Sequence, residues 1–138
     1  MARLLLERSR WFDEALLAAL DARLDVSLTS AQSLLFADLP IAGARQSDLA
    51  RRLRVSRQSV NELVRGLEAQ GLVEVLPDPD SGRSKLVRPT ALGRRSIDVA
   101  TEMFDRLEVE LRGRIGDGDV DQLRQVLVAD WGKPPRPT

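Results

Sequence analysis

The sequence predicts a mainly α-helical protein with one small β-hairpin. Apolar residues recur at three- and four-residue steps over most of its 138 residues, as they do on the inner face of a helix. Strand-like alternation occurs only around residues 72–88, on either side of a turn rich in Pro, Asp and Gly. With 43% hydrophobic and 30% charged residues, the chain has the composition of one globular domain.

The first two helices are predicted from periodicity and from a capping signal. Residues 4–24 form one helix, because neither Gly nor Pro interrupts their apolar stripe. Thr29 followed by Gln32 forms a capping box that opens a second helix, and Pro40 closes it. Residues 41–45 are predicted as a loop.

Two short helices and a hairpin follow. Residues 46–54 form the first of these helices. Ser56 caps the second, which runs to about Gln70, with Gly71 just past its end. Residues 72–76 and 84–88 are the predicted strands, and residues 77–82 are predicted as the turn.

Two more helices complete the chain. Thr90 caps a long helix over residues 91–115, which the Gly-Asp-Gly sequence after it breaks. Asp119 followed by Gln122 predicts a second capping box and a last helix. The Pro-rich end, residues 132–138, is predicted to be a flexible tail.

The formal net charge is zero, but it is unevenly distributed. Residues 45–95 hold eleven basic and six acidic side chains, giving +5, whereas the flanking segments carry −2 and −3. A local field decides where a polyanion binds, so the basic middle segment indicates a nucleic-acid partner. Nearly all these cations are Arg, which suits bidentate contacts to phosphate and guanine, although a general preference for Arg would give the same excess.

Several classes of function are excluded by composition. The chain contains neither Cys nor His, so disulfides, thiol nucleophiles, His-based triads and ordinary zinc sites are not available to it. We expect no catalytic residue, no metal and no cofactor, with chemistry by carboxylates alone left open. No apolar stretch approaches the roughly 20 residues of a membrane helix, and a cytoplasmic protein without membrane contact is expected.

The order of two short helices, a tight turn and a hairpin is that of a winged helix-turn-helix. In that arrangement the second helix presents its outer face to the major groove of DNA. Eight residues of this helix and hairpin are candidate DNA contacts: Ser56, Arg57, Gln58, Ser59, Asn61, Arg65, Arg83 and Lys85. The alternative interpretation is a solvated helix face with ordinary charges at a hairpin tip.

The terminal helices are predicted to form a homodimer, because they are long for the small central core and their apolar stripes need a partner. The candidate dimerisation residues are Leu5, Phe12, Leu16, Phe104, Leu107, Leu111, Leu123 and Leu127. The same stripes would also fit the core of a monomer. Trp11, Phe12 and Phe104 are candidates for a ligand pocket, although core packing is favoured for them.

Residues 28–93 carry an ordered set of short motifs. They are Leu28-Thr29 with Gln32, Leu49-Ala50, Val55 to Val60, Leu67-Glu68, Gly71-Leu72-Val73, Asp78-Pro79, Arg83, and Thr90 with Gly93. This set resembles the MarR family of bacterial regulators. The resemblance implies a DNA-binding part at 28–93 and dimerisation helices at 1–27 and 94–131. It also implies a wing arginine at Arg83 that enters the minor groove, and a small aromatic or amphipathic effector that releases the DNA.

Three residues depart from that family pattern. Ser81 occupies the position of the wing acid, so the usual acid–arginine support of the wing is not expected unless Asp80 replaces it. Glu62 is an acid on the reading helix, where it would repel phosphate but can accept a hydrogen bond from a cytosine amine. Pro89 removes a donor at the end of the second strand.

The function expected is sequence-specific binding of duplex DNA by a homodimer at an inverted-repeat operator, more often to repress transcription. The alternative is a winged-helix module that binds protein without specific DNA binding. The basic segment favours DNA, since a wing that binds protein would not need so many arginines on one side.

Overall fold

The computed structural model describes residues 1–136, which contain six helices and one three-stranded antiparallel sheet. The helices are α1 (Ala2–Leu24), α2 (Ser30–Ala37), α3 (Gln46–Leu53), α4 (Arg57–Ala69), α5 (Ala91–Ile115) and α6 (Asp117–Val128); the strands are β1 (Ala44–Arg45), β2 (Val73–Asp78) and β3 (Ser81–Pro89). The predicted fold class, mainly α with a β-hairpin, is confirmed. The end of the predicted flexible tail, residues 137 and 138, lies outside the described residues.

The chain forms two compact units, Met1–Phe104 and a second that begins at Asp105. The core of the first unit consists of the inner faces of its helices and of the sheet. Leu35, Leu49, Val60, Leu67 and Leu72 are completely buried in it. Each such side chain stabilises the fold by about 1.5–3 kcal/mol relative to exposure, so the α2–α3–α4 packing is well fixed.

Three helix caps that the sequence predicts are confirmed. In the capping box, the backbone amide of Gln32 donates to Thr29 Oγ1 at 3.1 Å, and the backbone amide of Thr29 donates to the Gln32 side-chain oxygen Oε1 at 2.9 Å. The Ser56 hydroxyl accepts from the Ser59 amide at 3.0 Å, and the Thr90 hydroxyl accepts from the Gly93 amide at 3.1 Å. A side-chain cap contributes about 1 kcal/mol, which fixes where α2, α4 and α5 begin.

The sheet is larger than the sequence predicts. The predicted loop 41–45 contains β1, which pairs with Val87 and Leu86 of β3, so the strand order is β1-β3-β2. A strand of two residues is too short to show alternation, which explains why it is missed. The two hairpin strands also extend further towards the turn than the sequence predicts, so the turn consists only of Pro79 and Asp80. Pro77 is accommodated in β2 because that strand lies at the sheet edge, where no ladder donor is needed.

The last helix does not begin where its predicted capping box would place it. Helix α6 begins at Asp117, with Gly116 as its N-cap at φ 93°, so the predicted cap at Asp119 is wrong. Asp119 lies inside the first turn, where a carboxylate is favoured by the positive end of the helix dipole. One glycine with a left-handed backbone is enough to separate α5 from α6.

We expect Gly93→Ala to destabilise the protein. Gly93 is buried in the first turn of α5, and an added Cβ would lie 2.1 Å from the Leu72 carbonyl oxygen. Relieving that overlap requires backbone movement and should lower the free energy of unfolding by about 1–3 kcal/mol. Urea denaturation followed by circular dichroism measures this.

Gly113→Ala is the matched control, because it makes the same change in the same helix with no heavy atom within 4 Å of the added Cβ. It should be neutral or stabilise by up to about 1 kcal/mol, through better helix propensity. Equal effects of the two substitutions would contradict the packing described for Gly93.

Candidate nucleic-acid interface

Helix α4 is presented to solvent by a tight turn and a buried inner face. Arg54 ends α3 with φ 55°, a left-handed conformation that redirects the chain towards the Ser56 cap of α4. Val60, Val64 and Leu67 are buried on the inner side of α4. The opposite side of the helix is therefore held outwards at a fixed angle.

The predicted DNA contacts all lie at this surface. Of the eight residues, Ser56, Arg57, Gln58, Arg65, Arg83 and Lys85 are exposed, and Ser59 and Asn61 are half-buried. The Ser56 and Ser59 hydroxyl oxygens lie 2.9 Å apart, and Ser56 also caps the helix. Ser56 is thus first a structural cap, at a helix N-terminus that favours anions.

The hairpin folds back so that its cations approach those of α4. A cleft of about 490 Å³ separates the two, and its charged lining residues are Arg65 and Glu68 from α4 and Arg83 and Lys85 from β3. An adjoining depression of about 400 Å³ is lined by Arg57 together with the same two cations of β3, and no acidic residue lines it. Residues far apart in sequence thus form one positive surface.

The wing is anchored by an ion pair that the sequence analysis missed. Asp78, whose side chain is only 4% exposed, accepts a hydrogen bond from Arg45 Nε at 2.5 Å and one from the Asp80 backbone amide at 2.9 Å. The Asp80 hydrogen bond, and then Arg45, lower the pKa of Asp78, although burial opposes them. The Asp80 side chain does not take the place of the wing acid, since it makes no ion pair within residues 1–136 and Asp80 acts through its backbone amide. The Ser81 hydroxyl donates to Ser84. The Asp-Pro-Asp turn was the available signal, because Asp side chains accept from the amide two residues on.

The predicted dimerisation residues differ widely in exposure. Leu5, Phe104, Leu123 and Leu127 are exposed, Phe12 and Leu111 are half-buried, and Leu16 and Leu107 are buried. Leu16 belongs to the core of the first unit, so it has little surface to offer a partner. The apolar stripe on α1 therefore contains both residues that are buried in the core and residues that are exposed and available to a partner.

The first unit also contains an apolar cavity of about 450 Å³ between α1, α2 and α5. Phe12, Leu34 and Phe104 are among its lining residues. This differs from the expectation of plain core packing for Phe12 and Phe104. Trp11 does not line the cavity; its ring meets that of Phe12 edge to face, with centroids 4.9 Å apart.

No helix in residues 1–136 is long and apolar enough to cross a membrane. The same part of the chain has no group of three acidic side chains placed to hold a metal ion.

These features define a winged helix-turn-helix protein. Residues 28–84 match the sequence model of the MarR family. The transcriptional activatory protein BadR of Rhodopseudomonas palustris is 42% identical over 60 residues, which are 44% of this chain and 34% of that protein. The alignment thus spans about a third of that relative's length. The segment 28–84 of this chain is therefore similar to the MarR family of transcriptional regulators.

The likeness in fold extends over nearly the whole chain. A MarR-family transcriptional regulator from Rhodococcus sp. RHA1 is 29% identical, with a TM-score of 0.65 over 90% of this chain and 86% of that chain. The MepR–DNA complex of S. aureus is 22% identical, with a TM-score of 0.69 over 92% and 93% of the two chains. At that identity the second comparison shows a shared fold alone.

We expect Asp78→Asn to weaken the anchoring of the wing in a pH-dependent way. The folded-state pKa of Asp78 lies below its ordinary value of 3.8, so the ionised carboxylate stabilises the fold above that pH. The wild type loses this contribution as the pH falls through the lowered pKa, whereas Asn lacks it throughout. Urea denaturation should show a less stable variant at neutral pH and converging stabilities in acid.

Asp80→Asn provides the control, because it removes the same charge from an exposed side chain whose residue supports Asp78 through its backbone amide. Its stability at neutral pH should stay near that of the wild type. Similar losses for both variants would mean that net charge, rather than the Arg45–Asp78 pair, is responsible.

Proposed function

We propose that the protein is a transcriptional regulator that binds duplex DNA sequence-specifically through α4 and the wing, within residues 28–93. The observation that carries this proposal is the shared depression in which Arg57 of α4 meets Arg83 and Lys85 of β3 without an acidic neighbour. Such a surface attracts a polyanion, and a helix beside a wing fits adjacent grooves of one duplex. The fold is shared with MepR, which has been solved with DNA.

The two parts of this surface are proposed to do different work. Helix α4 enters the major groove, where Arg57, Gln58 and Asn61 can form paired hydrogen bonds with guanine or adenine edges. The β-hairpin reaches the neighbouring minor groove or backbone with Arg83 and Lys85. Because DNA is its partner, we place the protein's action in the bacterial cytoplasm.

A protein-binding winged helix is the alternative, and the lining of the cleft argues against it. The cations of this surface, Arg57, Arg65, Arg83 and Lys85, make no ion pair within residues 1–136. A protein partner would need an unusually acidic complementary surface, whereas DNA offers one along its whole length.

The regulator is proposed to act as a homodimer formed by residues 1–27 and 94–131. Fifteen large apolar side chains are exposed among the described residues, and twelve of them lie in α1 or its start, in α5, or beyond α5. An apolar surface of this kind is normally covered by a partner. Two-fold symmetry would place two α4 helices on an inverted repeat.

A small aromatic or amphipathic effector is proposed to occupy the cavity and release the DNA. The cavity has the volume of a ligand site, aromatic walls and a polar Asp13 at its lining. Its α2 wall contacts α4 closely, because an added Cβ at Gly66 would lie 2.3 Å from Gln32 Nε2. A ligand that displaces α2 would therefore disturb the reading helix.

Repression is the mode we propose for this regulator, although its relative BadR is named as an activatory protein. The sign of regulation depends on where the operator lies relative to the promoter. The geometry of α4 and the wing serves either outcome.

The division of work between helix and wing gives the central test. Arg57→Ala should cost about 1–3 kcal/mol at the preferred site and less on unrelated DNA, because it removes a base contact. Arg83→Ala should weaken both kinds of DNA more evenly and reduce the salt slope by about one for each lost phosphate contact. Titration of operator and scrambled duplexes at several salt concentrations measures both.

Arg136→Ala removes the same charge outside residues 28–93 and should change neither quantity. If Arg57→Ala keeps full discrimination, α4 is not the reading helix. If Arg83→Ala alters neither affinity nor salt slope, the hairpin does not contact DNA.

The dimer is tested by placing charges on the terminal helices. Leu111→Glu with Leu123→Glu should give monomers that bind DNA weakly, because burying two unpaired carboxylates in an apolar interface is costly. Sedimentation equilibrium and DNA titration measure the two effects. Ile41→Glu, at a position 61% exposed and outside these helices, should remain dimeric. A wild-type monomer at micromolar concentration would refute the proposal.

A further inference from the structure

Glu62 lies on the exposed side of α4, opposite the buried face of the helix. At about 100° per residue it lies roughly 200° around the helix from Val60, which is completely buried. Gln58 precedes it by one turn and Arg65 follows three residues later, so it stands between two of the predicted DNA contacts. Any groove that receives α4 receives this carboxylate.

The carboxylate of Glu62 is not neutralised by the protein. Three of the six acids in the basic segment, Asp48, Glu74 and Asp78, each pair with an arginine. Glu62, like Glu68 and Asp80, has no ion pair within residues 1–136, and of these three it is the one that lies between two predicted DNA contacts of α4. Its hydrogen bond comes from Gln58 Nε2 at 3.4 Å, which is long for such a bond. Glu62 thus keeps free acceptor capacity at the surface where α4 would meet DNA.

An unpaired carboxylate in a groove must accept a hydrogen bond or it weakens binding, since phosphates repel it and desolvation is costly. The major groove offers two donors, the N4 amine of cytosine and the N6 amine of adenine. Adenine places its N7 acceptor beside the amine, where it would face a carboxylate oxygen. Cytosine has no acceptor there, so its edge fits a carboxylate better.

We propose that Glu62 is a specificity-determining residue that selects a cytosine in each half-site by accepting from its N4 amine. This inference rests on the proposed function. An acidic residue in this basic surface thereby lowers the affinity for DNA of any sequence and increases the discrimination between base pairs.

The test is selection of bound sequences from random duplex DNA by the wild type and by Glu62→Gln, followed by titration of single-base variants. In the wild type, one position per half-site should prefer cytosine by roughly 5- to 150-fold. In Glu62→Gln, that preference should fall to within a few-fold while other positions keep theirs. Affinity for random duplex should rise, because a negative charge is removed.

Glu68→Gln is the matched control, since it removes the same charge from another exposed position of α4. It should raise general affinity without altering any base preference. Thermal melting followed by circular dichroism verifies that both variants fold.

The possible failures are separable. If the wild type selects no sequence, the proposed function itself fails, and this inference with it. If the wild type selects an inverted repeat but Glu62→Gln keeps every base preference, the role of Glu62 is overturned and the proposed function stands. If the wild type prefers adenine at the position that Glu62→Gln alters, the assignment to cytosine is overturned.

Discussion

The ion pair between Arg45 and Asp78 connects the two parts of the winged helix. Arg45 belongs to β1, directly precedes α3, and pairs through its backbone with Leu86 of the central strand. Its side chain holds Asp78, the last residue of β2 before the hairpin turn. One arginine therefore joins the helix-turn-helix to both strands of the wing. The position of Arg83 relative to α4 depends on this connection, because a free two-stranded hairpin would have little stability of its own.

Helix α4 is in turn fixed by contacts with the segment before it. The Gln70 side chain, just after α4, accepts a hydrogen bond from the Ser27 amide at 3.1 Å, and Gly66 lets Gln32 approach closely. Gln32 is also the reciprocal member of the α2 capping box, so a single residue both starts α2 and contacts α4. The start of α2 and helix α4 are thus constrained together.

The sequence predicts most features that depend on neighbouring residues and fewer of the contacts between residues far apart in the chain. The caps at Thr29, Ser56 and Thr90 were predictable because each depends on neighbours within three residues. Strand β1 was not, because two residues have no periodicity and their pairing partner lies some forty residues away. The role of Asp78 was missed for the same reason: its acidity was visible, but its partner Arg45 is 33 residues distant. The outward face of α4 was predictable from helical periodicity, whereas its approach to the wing required the folded sheet.

The aromatic residues of the terminal helices connect the cavity with the proposed dimer. Phe12 and Phe104 line the cavity, and both also lie on the apolar stripes of α1 and α5. Phe104 is 42% exposed, so it can contact a cavity occupant and a second copy of the chain at the same time. An effector bound there would act on α2 and on the dimer surface together. In the proposed dimer, both half-sites must be reached at a fixed separation. A small change in that surface would then weaken DNA binding without any contact between effector and DNA.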